Sequence, residues 1–142
     1  MKYLIILILS TICIQAKSKE YTFNKVKYLR NYDGDTITVE IKEVHPMLGD
    51  NMPIRIKGID TPEIKGKTEC EKEKAKEAKE FVKIALQNAK KIDLTESSRG
   101  KYFRIVAFVI YDGKNLSDEL VKAGLTVPYD GGTKTKVDWC KK

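Results

Sequence analysis

The chain has 142 residues, of which 42% are hydrophobic, which is enough for one compact domain with a modest core but too few for a second domain. Its 27 lysine and arginine residues outnumber its 20 aspartate and glutamate residues, and the net charge of +7 favours a polyanionic partner. A zinc site built from His and Cys is excluded, because His45 is the only histidine and the sequence has no Cys-x-x-Cys pair. His45, beside Pro46, is interpreted as an exposed loop residue without a functional role.

The first sixteen residues differ in character from the rest of the chain. Lys2 precedes an apolar run over residues 4–14, and the segment ends at the small residue Ala16. A basic start, a short apolar middle and a small residue at the end are typical of a secretory signal peptide. The pattern predicts a mature chain of residues 17–142 in the extracellular space or the periplasm; the alternative is a retained N-terminal membrane anchor. Cleavage would remove Lys2 and no acidic residue, so that the net charge falls from +7 to +6.

Three predicted strands follow, over residues 21–30, 36–44 and 53–59. Hydrophobic and polar residues alternate in them with the period of two that is typical of strands. The first two are joined by the turn Asn31–Asp35, and residues 45–52, with Pro46 and Gly49, are predicted to form a loop. These three strands would form an antiparallel meander.

A long helix is predicted over residues 68–90, after a loop at 60–67. Thr68 is a suitable N-cap, with Glu71 at the spacing of a capping box. An apolar stripe recurs at helical spacing, and it consists of Ala75, Ala78, Phe81, Val82, Ala85, Leu86 and Ala89.

Two further strands and a short helix complete the predicted elements. The strands span residues 91–96 and 102–111, with a turn at 97–101 between them. The helix spans 116–123, with Asn115 as N-cap and Gly124 as its stop, and an extended tail follows. Three strands, a long helix, two strands and a short C-terminal helix are the order of an OB-fold, a mainly β, five-stranded barrel that often binds oligonucleotides.

The cysteines predict one disulfide. Signal cleavage would remove Cys13 and leave Cys70 and Cys140 in an oxidising compartment, where two thiols commonly pair.

Three segments carry charged residues suited to phosphate chemistry. Asp33-Gly34-Asp35-Thr36 places two carboxylates in a tight turn, and Gly34 is interpreted as freeing the backbone to approach a ligand. Asp60-Thr61-Pro62-Glu63 adds two acids directly after the third strand. Arg55 and Arg104 each stand inside an apolar strand, where an unpaired buried arginine would be costly. Each feature alone is common in turns and on solvent-facing strands.

Together these segments resemble the staphylococcal nuclease family. The resemblance spans roughly residues 26–129. It rests on Asp33-Gly34-Asp35-Thr36, on Arg55, on Ile59-Asp60-Thr61-Pro62-Glu63, on Lys101-Tyr102 with Arg104, on Asp112-Gly113-Lys114 and on residues 120–125. Phe103 departs from the pattern, because the family usually has glycine just before the second arginine.

The resemblance implies a role for each matching residue. Asp35 and Asp60 would bind a calcium ion through their carboxylates, with the Thr61 carbonyl as a further oxygen, and Asp33 would lie outside this ligand set. Glu63 would hold or activate the attacking water, and Arg55 and Arg104 would clamp the scissile phosphate. The residues bordering the substrate would be Lys101, Tyr102 and Tyr129. An all-oxygen site suits a hard cation, and calcium tolerates an irregular ligand shell better than magnesium does.

The expected function is therefore a monomeric, calcium-dependent endonuclease acting on DNA and/or RNA and, by the same resemblance, leaving 3′-phosphate ends. A phosphate clamp reads neither base nor sugar, so the sequence leaves open which nucleic acid is preferred. One alternative is a non-catalytic OB-fold module that binds single strands electrostatically and by stacking. Another is a secreted protein that binds calcium only for structure, but it leaves Arg55 and Arg104 without a role.

Overall fold

The structure, a computed structural model, describes residues 20–141. The predicted signal peptide lies outside the described residues. No helix in the described part is both long enough and apolar enough to span a membrane.

The main sheet is mixed, and its strands are β1 (Tyr21–Phe23), β2 (Lys27–Asn31), β3 (Thr36–Glu40), β4 (Met52–Ile56), β6 (Ile92–Arg99), β7 (Ile105–Tyr111) and β8 (Lys114–Asn115). They follow the order β1-β6-β7-β4-β3-β2, with β8 added beside β7. Within residues 20–141, β4 and β7 are the only strands of this sheet that pair in parallel. A second, two-stranded sheet pairs β5 (Ile59–Asp60) with β9 (Val127–Pro128). The helices are α1 (Pro46–Gly49), α2 (Glu69–Gln87) and α3 (Leu116–Lys122), and a 3-10 turn spans Trp139–Lys141. The mainly β prediction, with a long helix after the third long strand, is confirmed.

The sheet curls strongly, although it does not close. Strands β1 and β2 follow one another in the chain, yet they occupy opposite ends of the strand order. Only residues 24–26 connect them, so the two edges must lie near each other. At this point the backbone N–H of Val26 donates to the carbonyl of Ile92 at 2.9 Å. No ladder between β1 and β2 joins the edges within residues 20–141, so the predicted barrel is a curled, partly open sheet.

The prediction of one continuous strand over residues 21–30 is wrong. The chain breaks at Lys25, whose φ of 51° is incompatible with a strand. The backbone N–H of Lys25 donates to Asp93 Oδ1 at 2.9 Å, and Tyr21 and Phe23 pair with β6. These partners lie far away in the sequence, so the alternation of residues 21–30 carries no sign of the break.

The turn before β7 also lies later than predicted. Strand β6 continues to Arg99 through an irregularity at Glu96, whose φ is 48°. The turn occupies residues 100–104, where the N–H of Gly100 donates to the carbonyl of Arg104 at 2.8 Å. Arg104 therefore precedes β7 and does not stand inside a strand.

Helix α2 covers the sheet with the predicted stripe. Thr68 caps it by accepting a hydrogen bond from the N–H of Glu71 at 3.2 Å. The side chains of Ala75, Ala78, Val82 and Leu86 are buried. Burial of an aliphatic side chain such as that of Val82 or Leu86 contributes about 1.5–3 kcal/mol, so packing on the sheet, more than helix propensity, fixes α2 in place.

The tail is tied back to the body at two points. Strand β9 pairs with β5, so that Asp60 lies opposite Val127. Further on, Trp139 is buried and Cys140 forms a disulfide with Cys70 at the start of α2, with 5.8 Å between the Cα atoms. The predicted extended tail is thus held along one side of the molecule.

Smaller local features differ from the sequence interpretation as well. The predicted loop at 45–52 contains the short helix α1, for which His45 Nδ1 accepts a hydrogen bond from the N–H of Met47 at 3.2 Å. His45 is therefore a helix cap. Helix α3 begins after Asn115 as predicted, and Gly124 follows its end with a φ of 69°.

Candidate active site

The turn Asp33–Thr36 is held by its first carboxylate. Asp33 Oδ1 accepts hydrogen bonds from the backbone N–H of Asp35 at 3.1 Å and of Thr36 at 2.7 Å. This is the local hydrogen bonding by which aspartate stabilises tight turns. Asp33 therefore shapes the backbone that positions the neighbouring Asp35.

Gly34 serves packing and not ligand approach, contrary to the sequence interpretation. A Cβ at this position would lie 2.7 Å from the Cβ of Ala78 and 2.9 Å from Cγ2 of Thr61. Both distances are shorter than ordinary van der Waals contact. Gly34 thus lets the turn sit directly against α2 and the Asp60–Thr61 segment.

Two buried carboxylates meet at one guanidinium. Asp35 comes from the turn before β3 and Asp60 from the end of β5, and both residues are less than a tenth exposed. Arg55 Nη2 lies 3.1 Å from Asp35 Oδ2 and 3.1 Å from Asp60 Oδ1. Arg55 projects from β4 between the buried Ile54 and Ile56, and its own side chain is only 12% exposed. Since buried charges persist only when they are paired, the three residues form one electrostatic unit.

Thr61, the residue after Asp60, also bonds to Asp35. Its backbone N–H donates to Asp35 Oδ2 at 3.2 Å, and its hydroxyl donates to the same oxygen at 3.1 Å. The second oxygen, Asp35 Oδ1, accepts from the hydroxyl of Thr36 at 3.1 Å. Asp35 therefore receives four polar contacts, and its carboxylate is fixed in orientation.

Burial raises the pKa of Asp35 from its usual value of 3.8 to about 6. Arg55 and the N–H of Thr61 lower the pKa but do not outweigh burial, and the neighbouring Asp33 and Asp60 raise it further. The ionised carboxylate thus carries a free-energy cost that a nearby cation would reduce.

Asp33, Asp35 and Arg55 face a cleft of about 920 Å³, whereas Asp60 and Thr61 lie behind them and are not among its lining residues. Asp35, Arg55, Glu63 and Arg104 all line it. Glu63 is the most accessible acid of the set, with a side chain that is 60% exposed. Within the described residues, Nε of Arg104 is buried and has no hydrogen-bond partner. Buried polar groups without a partner are rare in folded proteins, and this singles out Arg104 for a functional role.

Lys134 enters the same cleft from the tail, and the sequence reasoning missed it. Its Nζ lies 2.9 Å from Asp60 Oδ1 and 3.1 Å from Glu63 Oε1. Burial alone would lower the pKa of Lys134, but the bonds to Asp60 and Glu63 outweigh burial and raise it. Lys134 and Glu63 are 71 residues apart in the sequence. No local pattern could therefore have indicated the contact.

The predicted substrate residues border the cleft at two edges. Tyr129 follows β9, and its ring centroid lies 5.8 Å from the guanidinium carbon of Arg55. Lys101 lines the cleft from the turn between β6 and β7. Tyr102, the next residue, is 86% exposed, and its ring centroid lies 5.8 Å from the guanidinium carbon of Arg104. The structure thus brings all the predicted site residues to one region.

Comparison with known proteins agrees with this geometry. Residues 53–138, more than half of the chain, match the family model described as staphylococcal nuclease homologue. The chain belongs to the staphylococcal nuclease family. The matched span contains Arg55, Asp60, Thr61, Glu63 and Arg104, while the turn Asp33–Thr36 lies upstream of it.

Two relatives in this family carry nuclease names. The chain is 36% identical over 118 residues to the SPbeta prophage-derived endonuclease YokF of Bacillus subtilis (strain 168), a match covering 80% of this chain and 38% of that protein. It is 32% identical over 100 residues to the thermonuclease of Staphylococcus hyicus, a match covering 70% of this chain and 56% of that protein. The matches thus span only about two fifths and just over half of these relatives.

The oxygen atoms of Asp35, Asp60 and Thr61 are suited to binding a hard metal cation. Among residues 20–141, no group of three or more His, Cys, Asp and Glu side chains is arranged to hold a metal ion. Asp35 and Asp60 nevertheless offer two buried carboxylates, and Thr61 adds polar oxygen atoms beside them. The set contains oxygen donors and neither sulfur nor imidazole, and this is the chemistry that calcium and magnesium prefer.

Asp35→Asn is expected to stabilise the metal-free protein at neutral pH by about 2 kcal/mol. A carboxyl whose pKa is higher in the folded chain makes the fold lose stability as the pH rises between the two pKa values, here from 3.8 to about 6. That shift corresponds to about 3 kcal/mol, from which about 1 kcal/mol is subtracted for weaker hydrogen bonds from Thr61.

Urea denaturation in chelator between pH 4 and pH 8 measures this effect. The difference between variant and parent should grow between pH 4 and pH 6 and then stay constant. A variant that is less stable than the parent at pH 7 would contradict the prediction.

Proposed function

We propose that this chain is an exported, calcium-dependent endonuclease that hydrolyses phosphodiester bonds of DNA and/or RNA. One observation carries the proposal: Arg55 is held between the buried carboxylates of Asp35 and Asp60 in the cleft that Glu63 and Arg104 also line. Acids for a metal and a water, together with guanidinium groups for a phosphate, are the parts that phosphodiester hydrolysis requires. The names of the two relatives support the same reaction class.

In this proposal Asp35, Asp60 and Thr61 hold the calcium ion. When bound, the ion neutralises charge on the phosphate and favours ionisation of a nearby water. The site is expected to prefer calcium to magnesium because Asp35 and Asp60 already bond to Arg55, Thr61 and Lys134. The remaining shell would be irregular, which calcium tolerates better.

The chain's own residues supply the rest of the chemistry. Glu63 accepts a proton from the attacking water, and its exposed side chain can reach a substrate in the cleft. A new bond forms between the water oxygen and phosphorus while the bond from phosphorus to the 5′ oxygen breaks, and the leaving oxygen takes up a proton from solvent water. Arg55 and Arg104 stabilise the charge that builds up on the phosphate oxygens. The products would carry 3′-phosphate and 5′-hydroxyl ends.

The proposed reaction takes place outside the cytoplasm. Removal of residues 1–16 would release the chain to the extracellular space or the periplasm, where calcium is available and Cys70 and Cys140 stay oxidised. In this proposal the chain acts as a monomer.

Cleavage assays test this proposal directly. Purified chain is incubated with plasmid DNA and with single-stranded RNA, in calcium and then in excess chelator. We expect cleavage of at least one substrate in calcium and its loss in chelator. Cleavage that persists in chelator would contradict calcium dependence, and binding of nucleic acid without any cleavage would favour the non-catalytic OB-fold module.

Calcium binding can be measured apart from turnover, by calorimetry without nucleic acid. Lys134→Ala is expected to bind calcium several-fold more tightly, because the ammonium of Lys134 lies 2.9 Å from Asp60 Oδ1 and competes for that oxygen. Lys136→Ala, two residues away in the exposed tail, is the matched control and should leave the affinity unchanged. Equal affinities of Lys134→Ala and the parent would contradict the competition.

A further inference from the structure

Asn31 is a buried polar residue that the proposed reaction does not use. It is the last residue of β2, and only 8% of its surface is exposed. Its side-chain amide can donate two hydrogen bonds and accept others through its oxygen. Burial of an amide is costly unless these groups are paired, so the partners of Asn31 indicate its role.

The amide of Asn31 joins three segments of the chain. Its Nδ2 donates to the backbone carbonyl of Asp33 at 2.8 Å and to the carbonyl of Lys79, inside α2, at 2.9 Å. Its Oδ1 accepts a hydrogen bond from the hydroxyl of Tyr28 at 2.5 Å. The amide can face only this way, because a flipped amide would set Oδ1 against two carbonyl oxygens. Strand β2, helix α2 and the turn Asp33–Thr36 thus meet at one side chain.

The bond from Asn31 to the turn falls beside Gly34. The carbonyl of Asp33 belongs to the peptide bond that precedes Gly34, and glycine restricts the backbone less than other residues do. A Cβ on Gly34 would lie 2.7 Å from the Cβ of Ala78, the neighbour of Lys79 in α2. Asn31 therefore ties the peptide bond before Gly34 to the helix against which Gly34 packs.

We propose that Asn31 is a positioning residue, which holds the turn Asp33–Thr36 against α2 and thereby fixes Asp35 for calcium. This inference rests on the proposed function and adds a residue to it. Asp33 Oδ1 accepts hydrogen bonds from the N–H of Asp35 and of Thr36, so a displaced Asp33 would displace Asp35 as well. Asn31 does not line the cleft, so it acts through Asp35 and not on the substrate.

Asn31→Ala should weaken calcium binding about tenfold, measured by calorimetry without nucleic acid, since loss of a group that orients a metal ligand typically costs about 10–100-fold in affinity or activity. Hydrogen exchange gives a second readout in calcium-free protein, well below the melting temperature. The N–H groups of Asp35 and Thr36 should exchange faster than in the parent, through local opening of the turn. In saturating calcium, kcat should fall while KM for nucleic acid stays within about twofold.

Val109→Ala is the control for a general loss of stability. Val109 is buried on β7, which β4 separates from β3 in the sheet. Its truncation leaves a cavity and should lower the melting temperature, but calcium affinity and the exchange of the Asp35 and Thr36 N–H groups should not change. Equal weakening of calcium binding in Val109→Ala and Asn31→Ala would overturn the inference, because stability alone would then explain the loss.

Tyr28→Phe keeps the test decisive if Asn31→Ala does not fold. It retains the ring and removes the hydroxyl that bonds to Asn31 Oδ1, so calcium affinity and amide exchange should change in the same direction and to a smaller extent. Parental calcium affinity and exchange in each of these variants that folds would overturn the positioning role, while the nuclease proposal stands. If the parent itself binds no calcium, the proposed function fails, and the exchange measurement alone decides whether Asn31 holds the turn.

Discussion

Arg104→Ala is expected to lower kcat/KM for plasmid cleavage a hundredfold or more while the fold stays intact. A preorganised donor that acts on charge developing in the transition state contributes about 3 kcal/mol. The buried Nε of Arg104 has no hydrogen-bond partner among the described residues, so its loss leaves no protein partner unpaired there. Glu63→Gln should have a similar effect on turnover, because the amide keeps the shape of the side chain but cannot accept the proton from water.

Arg55→Ala should be at least as damaging to turnover, but the structure predicts a second effect. Arg55 Nη2 is the partner of both Asp35 and Asp60, so its removal leaves two buried carboxylates without their shared cation. Breaking such a unit is strongly destabilising. We therefore expect the fold to stay intact in the Arg104 and Glu63 variants and to lose stability in Arg55→Ala.

Steady-state kinetics in saturating calcium, combined with thermal denaturation, separate the two effects. Arg30→Ala is the matched control, since Arg30 is an exposed strand arginine that donates to Asn51 at 3.0 Å and does not line the cleft. Its activity should stay within about twofold of the parent. Arg104→Ala with parental activity would overturn the assignment of the phosphate clamp.

Replacing Cys70 and Cys140 together by alanine should lower the free energy of unfolding by about 4 kcal/mol. The disulfide closes a loop with a sequence separation of 70 residues, and in the chain-entropy model a loop of this length restricts the unfolded chain by that amount. The double variant avoids a free thiol that could pair elsewhere.

Urea denaturation of the parent with and without reductant, compared with the double variant, measures the contribution. Reductant should shift the midpoint of the parent towards that of the variant and leave the variant unchanged. Identical midpoints for oxidised and reduced parent would contradict the prediction. Loss of the disulfide should loosen the tail first, because Cys140 and β9 hold Lys134 over the cleft.

The elements that sequence reasoning placed correctly are those with local causes. Helix α2 was recognisable from a cap at Thr68 and an apolar stripe with a period near four, and α3 from Asn115 and Gly124. Strands β3 and β4 follow from simple alternation, although the predicted strands 36–44 and 53–59 continue past their observed ends at Glu40 and Ile56. A turn at residues 57–58 divides the predicted third strand, and its last part is β5, which pairs with β9. The candidate site residues could be named from the sequence because the turn before β3, the end of β5 and two arginines stand at spacings that the nuclease family shares.

The local rules failed where distant partners decide the backbone. The break at Lys25 depends on Asp93 and Ile92, and the left-handed turn at Tyr102 and Phe103 has no glycine to mark it. Gly34 shows the same limit, since the reason for glycine there is the approach of Ala78 and Thr61.

The sequence by itself therefore determined the order of the longer strands and helices, the caps of the two longer helices and the acids and arginines available for chemistry. Only the tertiary structure decided that Asp35 and Asp60 share one guanidinium, that β9 pairs with β5 and that Lys134 reaches Glu63. The physical reason is that helices and turns are stabilised by neighbours three or four residues away, which a reader of the sequence can see. Strand pairing and charge pairing join residues separated by tens of positions, and the partners are chosen by burial and packing of the whole chain.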